Sequence, residues 1–372
     1  MSILFRAVLA FLALKLGNLA INVATFPVLT GAGSARPRPT VSLLVPMRDE
    51  ADRLVHTLPA ILAQGVDELI LLDDCSTDAT YQLAETMTAD HRQARVLAGA
   101  PTPPGWTGKT WACQQLGAQA TSESLVFCDA DVVLAPGAVL SVLAEQQRQG
   151  ADLLSVFPQQ QTASIGEHLL VPLVDDVLLC FLPFPLLRAD VPSAATANGS
   201  LMVFNRRAYD VLGGFEAVRG DVVEDVALAR LARRRGLQLG VVLGGAIVRT
   251  RMYYGYRACV TGFARGLLAT TGGSRARLVL AAGWHLLAYA VPPLLSWRRP
   301  RWALVVVLGV VERLVVEAKT GRRQWWQAVL QPLSPLAALP LFVQALRRTQ
   351  HWKGRPYTYV AAPSRRLTGV RP

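Results

Sequence analysis

A chain of 372 residues, 52% hydrophobic, with a mean hydropathy of +0.31 and a formal charge of +12, has room for one large or two modest domains and is too apolar for an ordinary soluble protein. Its five cysteines include no C-x-x-C pair and its five histidines no H-E-x-x-H, so neither a disulfide framework nor a zinc site is indicated. The basic excess gathers beside apolar segments, in "WRRPRW", "KTGRRQWW" and "RRTQHWKGR", a placement that fits anionic lipid headgroups with Trp at the interface rather than nucleic acid.

In chain order, "LFRAVLAFLALKLGNLAINVATFPVL" (4–29) is long enough to cross a bilayer, although Arg6 and Lys15 interrupt it. No small-x-small cleavage site follows directly, so residues 1–30 are read as an uncleaved anchor. After the linker "TGAGSARPRPT", β-rich runs are expected at 41–46, 68–74, 94–100, 124–130 and 152–158. Helices are expected at 49–64, after a Ser76 or Thr77 cap, at 109–120, at 136–150, and from Glu224. Such alternation predicts a mainly parallel, Rossmann-like sheet with helices on both faces and ligands at the carboxyl ends of its strands. Past 250 come an aromatic and basic segment (251–276), apolar stretches at 278–297 and 328–346 within a region of membrane helices (277–350), and a basic tail (351–372). "WALVVVLGVVERLVVEA" (302–318) carries Glu312, Arg313 and Glu317, and reads as interfacial or re-entrant.

Asp73 and Asp74 end the second strand, while Asp129 and Asp131 lie at and beyond the end of the fourth, so both pairs reach one rim. Carboxylates gathered there repel each other unless a cation lies among them, and an all-oxygen site suits Mg²⁺ or Mn²⁺. Taken singly, each pair also reads as turn or cap aspartates, as does Asp78 at a helix start. The pair Glu224 and Asp225 opens an amphipathic helix, where the dipole alone would favour negative charge. "PPGWTGKTWA" (103–112) fails as a Walker loop because Pro103 stands where glycine is required. Lys109 near a helix start still suits a diphosphate, or is a solvated loop lysine.

"VSLLVPMRDEADRL", "LLDDCSTDATYQLA", "VFCDADVVLAPGAV", "ANGSLMVFNRRAYDVLGGF" and "VVEDVALARLARRRG" occur in an order that resembles the family 2 glycosyltransferases of the GT-A fold, within residues 40–250. The resemblance implies that Pro46 and Glu50 lie at the nucleotide base and Asp74 near uracil and ribose, with Asp73 beside it. It implies that Asp129 and Asp131 form the D-x-D, holding a divalent ion on the donor's diphosphate. It also implies that Asp225, paired with Glu224, is the general base. The G-W-x-G-K stretch resembles that of relatives glycosylating carotenoids and hopanoid-type lipids, which makes Lys109 a donor-phosphate residue. "HLLVPLVDDVLLCFLPFPLL" (168–187) reads equally as a shelter for a lipid acceptor and as core. "RTRMYYGYRACVTGFARG" (249–266) stands where processive relatives carry Q-x-x-R-W, absent here, which argues against polysaccharide synthesis.

The resemblance therefore implies an integral-membrane, metal-dependent, inverting enzyme whose catalytic domain faces the cytoplasm. It would move one sugar, with UDP-glucose as the expected donor, onto a hydroxylated or carboxylated carotenoid. A hopanoid, glycerolipid or polyprenyl phosphate is the alternative acceptor, and an inert nucleotide-sugar-binding scaffold the alternative of another class.

Overall fold

The computed structural model describes residues 3–31, 39–347 and 349–358. The five expected β-rich runs become β1 (Val41–Met47), β2 (Glu68–Asp73), β3 (Ala94–Ala98), β4 (Ser124–Cys128) and β6 (Leu153–Phe157), and strands not expected from the sequence join them: β5 (Val132–Leu134), β7 (Gln159–Gln160), β8 (Leu201–Asn205), β9 (Leu239–Leu243) and β10 (Val248–Thr250). Seven form one sheet in the order β3-β2-β1-β4-β8-β6-β9, with β8 antiparallel to β4 and β6 and every other pairing parallel. Strands covered on both faces read as continuous apolar runs. β4, β6 and β9 are accordingly buried at every residue.

Successive residues of β1 serve opposite faces, as the two-residue period requires. Leu43 and Val45 meet Leu54, Leu58 and Ile61 of the helix Ala51–Leu62, and Val142 of the helix Ala138–Gln149. Leu44 faces the other layer, with Ala112 and Leu116 of the helix Gly108–Gln119 and Leu228 of the helix Glu224–Arg234. A small sheet, β5-β10-β7, adjoins the large one. β4 runs into β5 through residues 129–131, so the D-x-D turn is fixed at both ends by strands of different sheets.

Among the described residues, three helices are long and apolar enough to cross a membrane: Ile3–Thr25, Arg275–Ser296 and Trp325–Ala345. The lysine that interrupts the first is turned inward. Lys15 Nζ lies 2.9 Å from Asp176, 2.9 Å from Glu312 and 2.6 Å from the Tyr289 hydroxyl. The charged segment left open between interfacial and re-entrant forms a continuous helix, Trp302–Thr320, with its charges buried. Arg313 pairs with Glu317 at 3.1 Å and donates to the His168 carbonyl at 2.7 Å. The stretch 168–187 packs one side inward, where Leu178, Leu179 and Phe184 meet Leu19, Phe26 and Val316 and Asp175 pairs with Arg322 at 2.8 Å, while Val177, Phe181 and Leu186 stay exposed.

The chain after the first helix joins the edge of the sheet, where the Leu29 N–H donates to the Leu243 carbonyl (2.8 Å) and the Leu243 N–H to the Pro27 carbonyl (2.9 Å). Part of the stretch expected as a basic tail is ordered as a hairpin, β11 (Thr349–Trp352) and β12 (Arg355–Thr358); residues 359–372 of that expectation lie outside the described residues.

Candidate functional site

A cleft of about 350 Å³ opens at the carboxyl ends of β1, β2 and β4. Pro46, Glu50, Asp74, Lys109, Asp129, Asp131, Glu224 and Asp225 all line it. Asp73 is not among the lining residues: its carboxylate accepts the Ser76 N–H at 3.0 Å inside the turn that follows β2. Asp78 is a local fastener, accepting the N–H groups of Thr80 (3.0 Å) and Ala51 (3.2 Å), and lies outside the cleft. The helix expected to be capped by Ser76 or Thr77 starts later, at Thr80, and the Ser76 hydroxyl instead accepts the Asp49 N–H at 2.9 Å.

Lys109 stands between the two acidic motifs. The helix Gly108–Gln119 begins with Thr107 and Thr110 bonded in a reciprocal cap, which fixes the position of the lysine one residue inside it. Its ammonium lies 2.9 Å from Asp129 and 3.2 Å from Glu224. Burial opposes the charge, yet these two carboxylates outweigh it and hold Lys109 protonated well above the ordinary range.

Asp225 sits at the start of the helix Glu224–Arg234, where its two oxygens accept the N–H groups of Gly199 (2.9 Å) and Val226 (2.7 Å). Gly199 comes so close that a Cβ there would lie 3.1 Å from the Lys109 ammonium and 3.2 Å from Glu224, so a side chain would crowd both groups. Burial raises the Asp225 carboxyl to about 7, helped by Glu224 and opposed by Lys109 and the two N–H groups. A carboxyl poised there is a usable base near neutral pH.

Burial likewise raises Asp131 to about 7, with Asp129 and Glu50 adding to it. The crowded set offers only hard oxygen donors, so the residues present fit a divalent cation such as Mg²⁺ or Mn²⁺. Elsewhere, Asp176, Cys180 and Glu312 approach closely enough to hold a metal, but the Lys15 ammonium already pairs with both carboxylates.

Residues not singled out from the sequence complete the cleft. Arg53 pairs with Glu50 at 2.9 Å and donates to the Met252 carbonyl at 3.3 Å, and Met252, Tyr253, Phe263 and Arg265 also line the cleft. Tyr253 lies edge-on to Phe263 at 4.8 Å and against Gly262, where a Cβ would run into its ring. The helix bearing Gly262 and Phe263, Tyr256–Thr270, packs through Cys259 and Val260 on Ala338 and Leu341 of the apolar helix Trp325–Ala345. Lys353, in the turn of the C-terminal hairpin, also lines the cleft, beside Glu50. A lysine-glycine pair between two short runs was the available signal for that hairpin.

Residues 37–255 match the family described as glycosyltransferase like family 2. Over 335 residues the chain is 26% identical to the 4,4'-diaponeurosporenoate glycosyltransferase of Staphylococcus aureus (strain USA300), covering 86% of this chain and 88% of that protein. Its fold is similar to that of a mannosyltransferase from Pyrobaculum calidifontis, solved in complex with GDP-Man and Mn²⁺, with a TM-score of 0.52 and 17% identity over 90% of this chain and 97% of that one. The family match spans more than half of the chain, from β1 through the D-x-D turn and the Glu224–Asp225 helix to β10, and so this protein belongs to the family 2 glycosyltransferases, with a GT-A fold and apolar helices at both ends.

Proposed function

We propose that this glycosyltransferase moves one sugar from a nucleotide-sugar, with UDP-glucose the favoured donor, onto an apolar acceptor, foremost a hydroxylated or carboxylated carotenoid, inverting the anomeric carbon. One observation carries the reading. The cleft that joins the D-x-D to the Glu224–Asp225 pair is lined by Tyr253 and by Phe263, the latter on a helix that packs against an apolar, membrane-length helix. An acceptor dissolved in lipid would reach the acidic centre past that helix. The S. aureus relative, named for a carotenoid carboxylate, supports the acceptor class. The mannosyltransferase of similar fold, solved with GDP-Man and Mn²⁺, supports a nucleotide-sugar and a divalent metal.

In this reading Pro46, Glu50 and Asp74 receive the nucleoside, and Lys109 presents its ammonium to a phosphate oxygen. Mg²⁺ or Mn²⁺ held by Asp129 and Asp131 would neutralise charge on the leaving nucleoside diphosphate. Asp225, oriented by the Gly199 and Val226 N–H groups, takes the proton of an acceptor hydroxyl as that oxygen attacks from the face opposite the nucleotide. A carboxylate acceptor is already ionised at neutral pH and needs Asp225 only for placement. The protein is integral to the cell membrane with this domain in the cytoplasm, where nucleotide sugars are made and where its five free cysteines would stay reduced.

The test is mass spectrometry of lipid extracts from cells with and without the active protein. A one-hexose increment on a carotenoid supports the reading. An increment on a hopanoid, glycerolipid or polyprenyl phosphate moves the acceptor to that class, and no glycosylated lipid at all would sink it.

A further inference from the structure

The hairpin β11–β12 closes through a two-residue turn, Lys353–Gly354, with φ of 45° and 74°. Positive φ at both positions is the tight turn whose twist suits a right-handed hairpin, and it gives the tip a fixed shape. That tip lines the cleft beside Glu50 and Asp74. The Lys353 ammonium bonds the Glu50 carboxylate and the Arg48 carbonyl, and Arg48 Nε donates back to the Lys353 carbonyl at 3.2 Å. Arg355 grips Asp74 with two nitrogens, at 2.5 and 3.1 Å. Its guanidinium comes up against Gly108, where a Cβ would collide with it, at the start of the helix that carries Lys109. Two cations from the far end of the chain thus sit on Glu50 and Asp74, carboxylates that the proposed function gives to the nucleoside.

We infer that this hairpin is the lid of the donor cleft, and that Lys353 and Arg355 are donor-binding residues that transfer from Glu50 and Asp74 to the phosphates of an incoming nucleoside diphosphate. The inference rests on the nucleotide-sugar reading of the cleft. The contacts that fix the tip are charged and polar, and such contacts exchange one anion for another without loss of packing. Arginine suits the exchange, because the planar fork that matches a carboxylate also matches a phosphate. Acidic side chains crowd the cleft. A lid bringing cations with the donor offsets the charge the diphosphate adds.

The test uses the full-length protein in detergent and titrates UDP and GDP, each with Mn²⁺, into the wild type and into Arg355→Gln, Arg355→Lys and Lys353→Gln. Each Gln variant should bind the preferred nucleotide about tenfold more weakly, the effect of losing one charge-assisted hydrogen bond. Arg355→Lys should recover part of that loss. In the wild type alone, nucleotide should slow amide exchange across residues 349–358, a readout that needs no variant to fold. Affinities within twofold of the wild type, tighter binding by the Gln variants, or unchanged exchange would each overturn the lid. If the folded wild type binds neither nucleotide, the nucleotide-sugar reading itself fails, and the lid with it.

Discussion

Asp225 owes its carboxyl value of about 7 first to burial and then to Glu224. The sign is that of a carboxyl raised above its ordinary 3.8: the folded protein holds the proton up to about pH 7, so ionising this group costs stability as the pH rises through that value. Turnover of a hydroxyl acceptor should therefore climb with pH and level off above about 7. Asp225→Asn should lose that limb and about 10² to 10⁴ in turnover while still binding donor. A purely capping aspartate would instead cost roughly 1 kcal/mol or less of stability and leave most of the rate. At the D-x-D, removing the divalent ion by chelation, or changing both Asp129 and Asp131 to Ala, should abolish turnover without unfolding the protein. Added Mn²⁺ or Mg²⁺ should rescue only the chelated wild type, and full activity in excess chelator would remove the metal from the reaction. The acids of this site were legible because strand ends bring them to one rim. Arg265 and Arg355 were not, since nothing local marks a basic residue that reaches a cleft from a distant segment.

Among the elements, the charged seam between the first helix and Trp302–Thr320 invites a direct measurement. Lys15→Ala leaves Asp176 and Glu312 buried without their cation, a change that typically costs about 3–5 kcal/mol. Thermal unfolding in detergent should show that loss, whereas a lysine facing lipid would leave the transition in place. Gly262→Ala puts a methyl group against the Tyr253 ring, an overpacking of about 1–3 kcal/mol. Acceptor KM should rise by more than nucleotide affinity falls, because Tyr253 packs on Phe263 of the helix that leads to the apolar helix Trp325–Ala345. β1 was expected at 41–46 and runs Val41–Met47, and the helix expected at 109–120 runs Gly108–Gln119, since each carries its own apolar pattern and boundaries. β8 was not foreseen. Its five residues enter the sheet antiparallel between β4 and β6, and that placement depends on partners distant in the chain, from Val156 opposite Leu201 to Ser124 opposite Asn205. The inward turn of Lys15 was equally illegible, because its partners come from 176 and 312.

For the molecule as a whole, the side of the membrane is open to experiment through one thiol. Cys75 is exposed, and the other four cysteines are buried. A membrane-impermeant maleimide should label Cys75 only after permeabilisation if the catalytic domain faces the cytoplasm, and labelling in intact cells would place it outside. The seam at Lys15 also has a consequence for how the protein is made. The ribosome delivers the first helix with its lysine long before Asp176, and Glu312 emerges only near the end of synthesis. Until then the nascent chain holds an unneutralised ammonium in an apolar helix, and the strand partner Leu243 for residues 27–29 is also still to come. Assembly of the amino-terminal end is thus a late event, and a chain halted before residue 312 would present quality-control proteases with a charged, unseated helix.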